Sequence, residues 1–108
     1  MSYKVKTISV FERQAKRLMK KFLSLKKEIQ LLISELKEEP AKGTSIGNNC
    51  YKIRLAIASK GKGKSGGARI ITHLVYRYDT VYLLSIYDKS ELENLSDKEI
   101  QELIKLIP

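Results

Sequence analysis

A single cysteine, Cys50, and a single histidine, His73, are the chain's whole supply of the residues that build disulfides, thiolate sites and most zinc centres. One cysteine makes no internal disulfide and no Cys/His cluster has metal-ligand spacing, so a disulfide scaffold and a zinc module are both excluded. The expectation is a chain suited to a reducing cytosol, with no metal and no small-molecule cofactor. One histidine leaves no two-histidine acid/base pair, and a Cys–His dyad would need Cys50 and His73 in register on neighbouring strands. Long apolar runs are also missing. The longest, residues 55–58 and 81–84, are four residues each, against the ~20 of a membrane-spanning helix, and the N-terminus has no signal-peptide apolar core. We therefore expect a cytoplasmic protein that does not enter a membrane. Carboxylates are scarce where the cations gather. Only Asp79 lies between residues 40 and 80, so a paired-carboxylate hydrolase would need Asp88, Glu91 or Glu93 to return to the site.

What is abundant is positive charge. The 108 residues hold 21 Lys+Arg against 12 Asp+Glu, a formal net charge of +9. A chain of this length buries roughly 60–70% of its unfolded surface, enough for one core, so residues 1–108 read as one domain. The charge is polarised: residues 1–39 carry +5, residues 40–80 carry +7 and residues 81–108 carry −3. A surface built only for solubility intersperses both signs, so this distribution points to a polyanionic partner, with nucleic acid first. Excess lysine serving solubility alone is the alternative.

Hydrophobic periodicity predicts an α+β chain in the order β-α-α-β-β-β-α. Residues 3–8 read as a short strand, and Ser9 with Glu12 has the S-x-x-E capping pattern of a helix start. Phe11, Ala15, Leu18 and Phe22 make one apolar stripe, and Leu25, Ile29, Leu32, Ile33 and Leu36 a second that ends before Pro40. A break around residues 22–24 gives an antiparallel helical hairpin; a single helix over 10–38 remains open, since no Gly or Pro forces the break. Residues 40–49 concentrate turn formers and read as a loop. The period then becomes two. Tyr51, Ile53, Leu55 and Ile57 alternate with Lys52 and Arg54, which share the non-core face of one strand. Residues 59–67 read as a flexible basic loop. Residues 68–78 alternate again, with Arg69, Ile71, His73, Val75 and Arg77 on one face, and a tight turn at Asp79 and Thr80 leads into a third antiparallel strand. Ser96 and Glu99 repeat the capping pattern before a short helix with Ile100, Leu103, Ile104 and Ile107.

Gly63, Lys64 and Ser65 imitate the end of a P-loop, but the position of its first glycine is Ala58 and a β-branched strand follows where a helix should. Lys60, Lys62 and Lys64, set between glycines, suit a sugar-phosphate backbone better; a disordered hairpin loop is the plain alternative. His73 shares a strand face with Arg69 and is read first as a half-buried structural residue, with substrate contact as the alternative. Lys52, Arg54 and Arg69 remain as cations able to clamp a phosphate and stabilise charge that builds in a transition state.

The segments FERQAKRL, SLKKEI, CYKIRLA, GKGKSGGARII and IYDKSELENLS together resemble the RelE/HigB group of type II toxins, closest to its HigB side. The resemblance implies a small antiparallel sheet with an N-terminal helical hairpin and a short C-terminal helix, related to microbial ribonucleases. It implies a ribosome-dependent endoribonuclease that cuts translated mRNA by attack of the ribose 2′-OH on the adjacent phosphate. The partners it implies are a cognate antitoxin, the ribosome and mRNA. By position, the family's cleavage residues fall on Lys52, Arg54, Arg69 and Lys89. Some members carry a tyrosine where this chain has Leu95, and Tyr87 is the nearest substitute; its other role is a strand-end aromatic closing the core. The proton acceptor would be a Lys or Tyr of shifted pKa, or Glu91. Lys60, Lys62, Lys64, Arg77 and His73 are the expected RNA or ribosome contacts. The competing class is a non-catalytic RNA- or ribosome-binding module.

Overall fold

The computed structural model describes residues 2–61 and 63–108, without the side chains of Lys64 and Ser65. Lys62 and the Lys64 side chain, both expected RNA contacts, lie outside the described residues. The chain runs β1 (Lys4–Thr7), α1 (Ser9–Lys21), α2 (Leu25–Glu38), β2 (Thr44–Gly47), β3 (Cys50–Leu55), β4 (Ala68–Val75) and β5 (Thr80–Asp88), then a C-terminal helix (Asp97–Ile104). Among the described residues no helix is long and apolar enough to cross a membrane.

The expected α+β architecture is present, and the predicted apolar stripes are the buried ones. Phe11, Ala15 and Leu18 of α1 and Leu25, Ile29, Leu32 and Leu36 of α2 enter one core with the sheet. The break falls where it was expected. Phe22 leaves the helical region at φ −122° and ψ 107°, while its N–H still bonds Leu18 O at 2.8 Å, and this excludes a single helix over 10–38. At the α1 start the expected cap is displaced by one residue: Ile8 holds the N-cap position without a side-chain bond, and the Thr7 hydroxyl meets Glu12 instead. The second pattern forms as expected, with Ser96 Oγ accepting from Glu99 N at 3.1 Å and Glu99 Oε1 from Ser96 N at 3.0 Å.

The sheet has five strands where the expected order held four, and it is mixed rather than antiparallel. Its order is β1-β5-β4-β3-β2, with β1 parallel to β5 and the other neighbours antiparallel. The parallel pair is available because the long chain between its two strands serves as the crossover. The additional strand, β2, arises within residues 40–49. Asn48 and Asn49 both take positive φ, 53° and 57°, the two-residue turn whose twist matches a hairpin, and Asn tolerates that region better than most residues. β4 stops at Val75, short of the expected residue 78. Tyr76–Tyr78 form a 3₁₀ turn closed by Asp79 at φ 48°, and this takes Arg77 off the strand face.

Two features of β5 shape the site. Its pairing with β4 slips between Ile71 and Thr72, whose partners are Ser85 and Leu83, so Leu84 is the extra residue of a bulge. β1 reaches only as far as Leu83, and beyond it Gln14 of α1 accepts from Ile86 N and Ser85 Oγ, each at 3.0 Å. A side-chain amide thus satisfies a strand edge that would otherwise be orphaned.

Candidate functional site

Cross-strand register aligns the expected site residues. Arg54 pairs with Arg69 and Arg69 with Tyr87, while Lys52 pairs with Ile71 and Ile71 with Ser85. Partners directly opposite share a face, so Lys52, Arg54, Arg69 and Tyr87 lie on one side of β3, β4 and β5. Ile53 and Leu55, on the alternate positions of β3, line a groove with Leu31 and Leu32 of α2, which puts the helix pair on the opposite side.

The four residues differ in burial. Arg54 is exposed, whereas Arg69 is 4% exposed and donates from Nη1 to Ala68 O at 3.1 Å among its contacts. Tyr87 is 6% exposed and its hydroxyl has no hydrogen-bond partner among the described residues. Burial pushes the Tyr87 phenol above its ordinary pKa, and the nearby Arg69 guanidinium acts against that rise. Lys52 Nζ donates to Asn94 Oδ1 at 2.8 Å. That contact ties the sheet to the segment after β5, and Asn94 is a site-lining residue that sequence reasoning missed. No local pattern signals it, because the contact exists only once the chain has turned back after Asp88.

The loop between β3 and β4 is held at its β3 side. Ser59 N donates to Ser24 Oγ at 3.0 Å and Ala58 N to Glu28 Oε2 at 2.8 Å, which anchors the loop to the start of α2. Lys60 forms a salt bridge with the fully buried Asp88 carboxylate and lies over the Phe22 ring at 5.6 Å. Ser90 donates to Asp88 Oδ1 from N at 3.0 Å and from Oγ at 2.8 Å. The flexibility expected for the whole loop therefore does not extend to Lys60, whose ammonium is already engaged. The glycine directly before Ala68 has a steric cause. A Cβ on Gly67 would stand 2.1 Å from Leu55 O, so only glycine lets the loop return against β3 and deliver Arg69. Lys89 is held beside this return, its N–H donating to Gly67 O at 3.0 Å and its ammonium 3.7 Å from Glu93.

The remaining candidates lie elsewhere or are chemically quiet. Arg77 lies 5.4 Å over the Tyr78 ring at the β4–β5 turn, at the opposite end of β4 from Arg69. Cys50 and His73 do stand in register, with Sγ and Nδ1 3.3 Å apart. Burial pushes the thiol up to about 11 and lowers the imidazole below its ordinary value, so at neutral pH both are uncharged and the pair offers no thiolate nucleophile. Glu91 is bonded to Arg17 at 2.9 Å, and this contact lowers its pKa.

This fold has known relatives. The chain matches the family model described as the RelE toxin of the RelE/RelB toxin-antitoxin system over residues 3–107. Solved structures share the fold at low identity. An arginine double mutant of the E. coli toxin RelE in the free state matches with a TM-score of 0.59 at 17% identity over 100% of both chains. The isolated E. coli RelE toxin in a P21 form gives 0.56 at 18% over 98% of this chain and 100% of that one. The toxin-antitoxin complex RelBE2 from Mycobacterium tuberculosis gives 0.59 at 15% over 82% of this chain and 92% of that one. With nearly its whole length inside the family model, this chain belongs to the RelE family, the toxins of RelE/RelB toxin-antitoxin systems.

Proposed function

We propose that residues 1–108 form one cytoplasmic toxin domain, on the HigB side of its group, that acts as a ribosome-dependent, metal-independent endoribonuclease and is neutralised by a cognate antitoxin. The observation that carries this reading is the cross-strand line of Arg54, Arg69 and Tyr87, with Lys52 on the same face. In the reaction we propose, the ribose 2′-oxygen bonds to the adjacent phosphorus and the bond to the 5′-oxygen breaks. The proton from the 2′-OH passes to a base, the leaving oxygen takes up a proton, and a 2′,3′-cyclic phosphate results. Arg54, Arg69 and Lys52 supply positive charge where the phosphate oxygens gain negative charge. A site without a conventional acid/base pair relies on having its substrate held in place, which is the role we assign to the ribosome. The antitoxin reading is supported by the solved complex of a relative with its antitoxin.

One observation favours a second reading, a non-catalytic RNA- or ribosome-binding module: Arg69 and the Tyr87 hydroxyl are buried. Cleavage separates the two where binding does not, since both readings predict salt-dependent RNA affinity. Purified protein added to a reconstituted translation system should cut the mRNA being translated. Ribosome binding without any cut would establish the second reading.

A further inference from the structure

Asp88 ends β5 and is fully buried, and as the strand neighbour of Tyr87 it faces the helix side of the sheet. There its carboxylate holds Lys60, whose ammonium also donates to Ser90 Oγ at 3.4 Å and lies over the Phe22 ring. The pair thus stands behind the face that carries Lys52, Arg54 and Arg69. Its link to that face runs through the backbone. Asp88 is directly opposite Ala68 in the β4–β5 register, and Ala68 O accepts from Arg69 Nη1 at 3.1 Å. One residue to either side, Tyr87 pairs with Arg69 and Lys89 N donates to Gly67 O at 3.0 Å. We propose that Lys60 and Asp88 are positioning residues for RNA cleavage: the pair fixes the strand end whose carbonyl holds the Arg69 guanidinium, and so sets where that guanidinium meets the phosphate.

Packing alone does not call for an ion pair at this place. Apolar side chains of similar volume stabilise a buried position as well or better, because neither has to be stripped of water. What the charges supply is direction. Asp88 Oδ1 takes the Lys60 ammonium and two bonds from Ser90, from N at 3.0 Å and from Oγ at 2.8 Å, so one orientation of the carboxylate satisfies all three. Lys60 is referenced from its own side as well. Just before it, Ala58 N and Ser59 N are bonded to Glu28 and Ser24 at the start of α2. The pair therefore refers the end of β5, and Ala68 beside it, to the helix layer. A catalytic group needs to be held within about 0.5 Å of its working position, and a misplacement of about 1 Å costs on the order of 10²-fold in rate. The inference rests on the RNA-cleaving reading and adds to it two residues, remote from the RNA, on which Arg69 depends.

The test is the double variant Lys60→Met, Asp88→Leu, which removes both charges together and leaves the exposed Ser90 to bond water instead. Two measurements read it. In the first, nitrogen relaxation of the Arg69 Nε–H group, assigned through Arg69→Lys, is recorded on the free protein. The group should be rigid in the wild type and lose order in the double variant, while the variant keeps a cooperative unfolding transition; retained order overturns the proposal, whether or not the protein cuts RNA. In the second, single-turnover cleavage of mRNA on programmed ribosomes is measured at saturating toxin. The rate should fall about 10²-fold with ribosome affinity within a few-fold of wild type. If the wild type cuts and the double variant cuts equally fast, the pair serves the fold alone and the cleavage reading stands without it. A wild type that cuts nothing removes the cleavage reading, and the order of Arg69 then decides whether the pair sets its guanidinium. If the double variant does not fold, Asp88→Glu, which keeps both charges and moves the carboxylate by one methylene, is read in the same two ways.

Discussion

The ammonium of Lys60 closes on the carboxylate of Asp88, with side-chain exposures of 11% and 0%. Asp88 lies between Tyr87 and Lys89, and the same carboxylate oxygen accepts two bonds from Ser90. One buried charge therefore holds the start of the glycine-rich loop and the chain after β5 together around Arg69. Removing one partner of such a pair leaves the other buried and uncompensated, which costs about 3–5 kcal/mol. Lys60→Met should lower stability by about 3 kcal/mol, a Tm loss of more than about 10 °C for a domain of this size. Thermal unfolding measures it, and a loss within experimental scatter would mean that Lys60 is a docking lysine like any other.

The same pair gives the fold an acid limit. Burial pushes the Asp88 carboxyl upward, but hydrogen bonds from Lys60 and Ser90 outweigh it and set the pKa below its ordinary value. A carboxyl with a depressed folded-state pKa contributes stability that is present above the unfolded value near pH 4 and is lost as pH falls through the folded value. The Tm difference between wild type and Asp88→Asn should be full at pH 6 and shrink progressively below about pH 4. A difference that stays constant to pH 2.5 would refute the linkage.

Arg69 should be the least replaceable cation on the face. It is buried and works within a fixed environment, so a flexible lysine cannot reproduce its planar set of donors. Arg69→Lys should retain a cooperative unfolding transition while cleavage falls by about 10²-fold, the scale of one lost preorganised donor. Retained cleavage would assign Arg69 to the fold. His73→Ala should cost much less, since its imidazole is neutral and bonded to Cys50.

Cys50 should be inert. With its thiol raised to about 11 by burial, the thiolate fraction at pH 8 is small and the sulfur has no exposed path. Alkylation by iodoacetamide at pH 8 should follow unfolding of the chain, and Cys50→Ala should cut RNA within a few-fold of wild type. Fast labelling of the folded protein with loss of cutting would restore the Cys–His dyad.

How far the sequence carried these conclusions depends on the range of each interaction. The apolar stripes of α1 and α2 and the alternation in β3 are local patterns, and the alternation puts Lys52 and Arg54 on one face before any coordinates, whereas Arg69 is aligned with them by the β3–β4 register. Two identical S-x-x-E patterns had different outcomes: Ser96 caps its helix while Ser9 lies one residue inside α1, because the preceding strand and Thr7 set that entry. The β2–β3 hairpin was legible only through Asn48 and Asn49, a weaker turn signal than Asn-Gly. The parallel β1–β5 pair and the Lys52–Asn94 bond join residues far apart in sequence, and no window of local periodicity contains them. Arg77 was misplaced because alternation in residues 68–78 continues through a segment whose backbone has already turned at Tyr76.

The most direct test of the account is the chemistry of the cut end. Translated mRNA incubated with the toxin should yield upstream fragments ending in a 2′,3′-cyclic phosphate and downstream fragments beginning with a 5′-hydroxyl, resolved by mass spectrometry, and naked mRNA should stay intact under the same conditions. Equal cutting of naked mRNA, or ends bearing a 5′-phosphate, would contradict it.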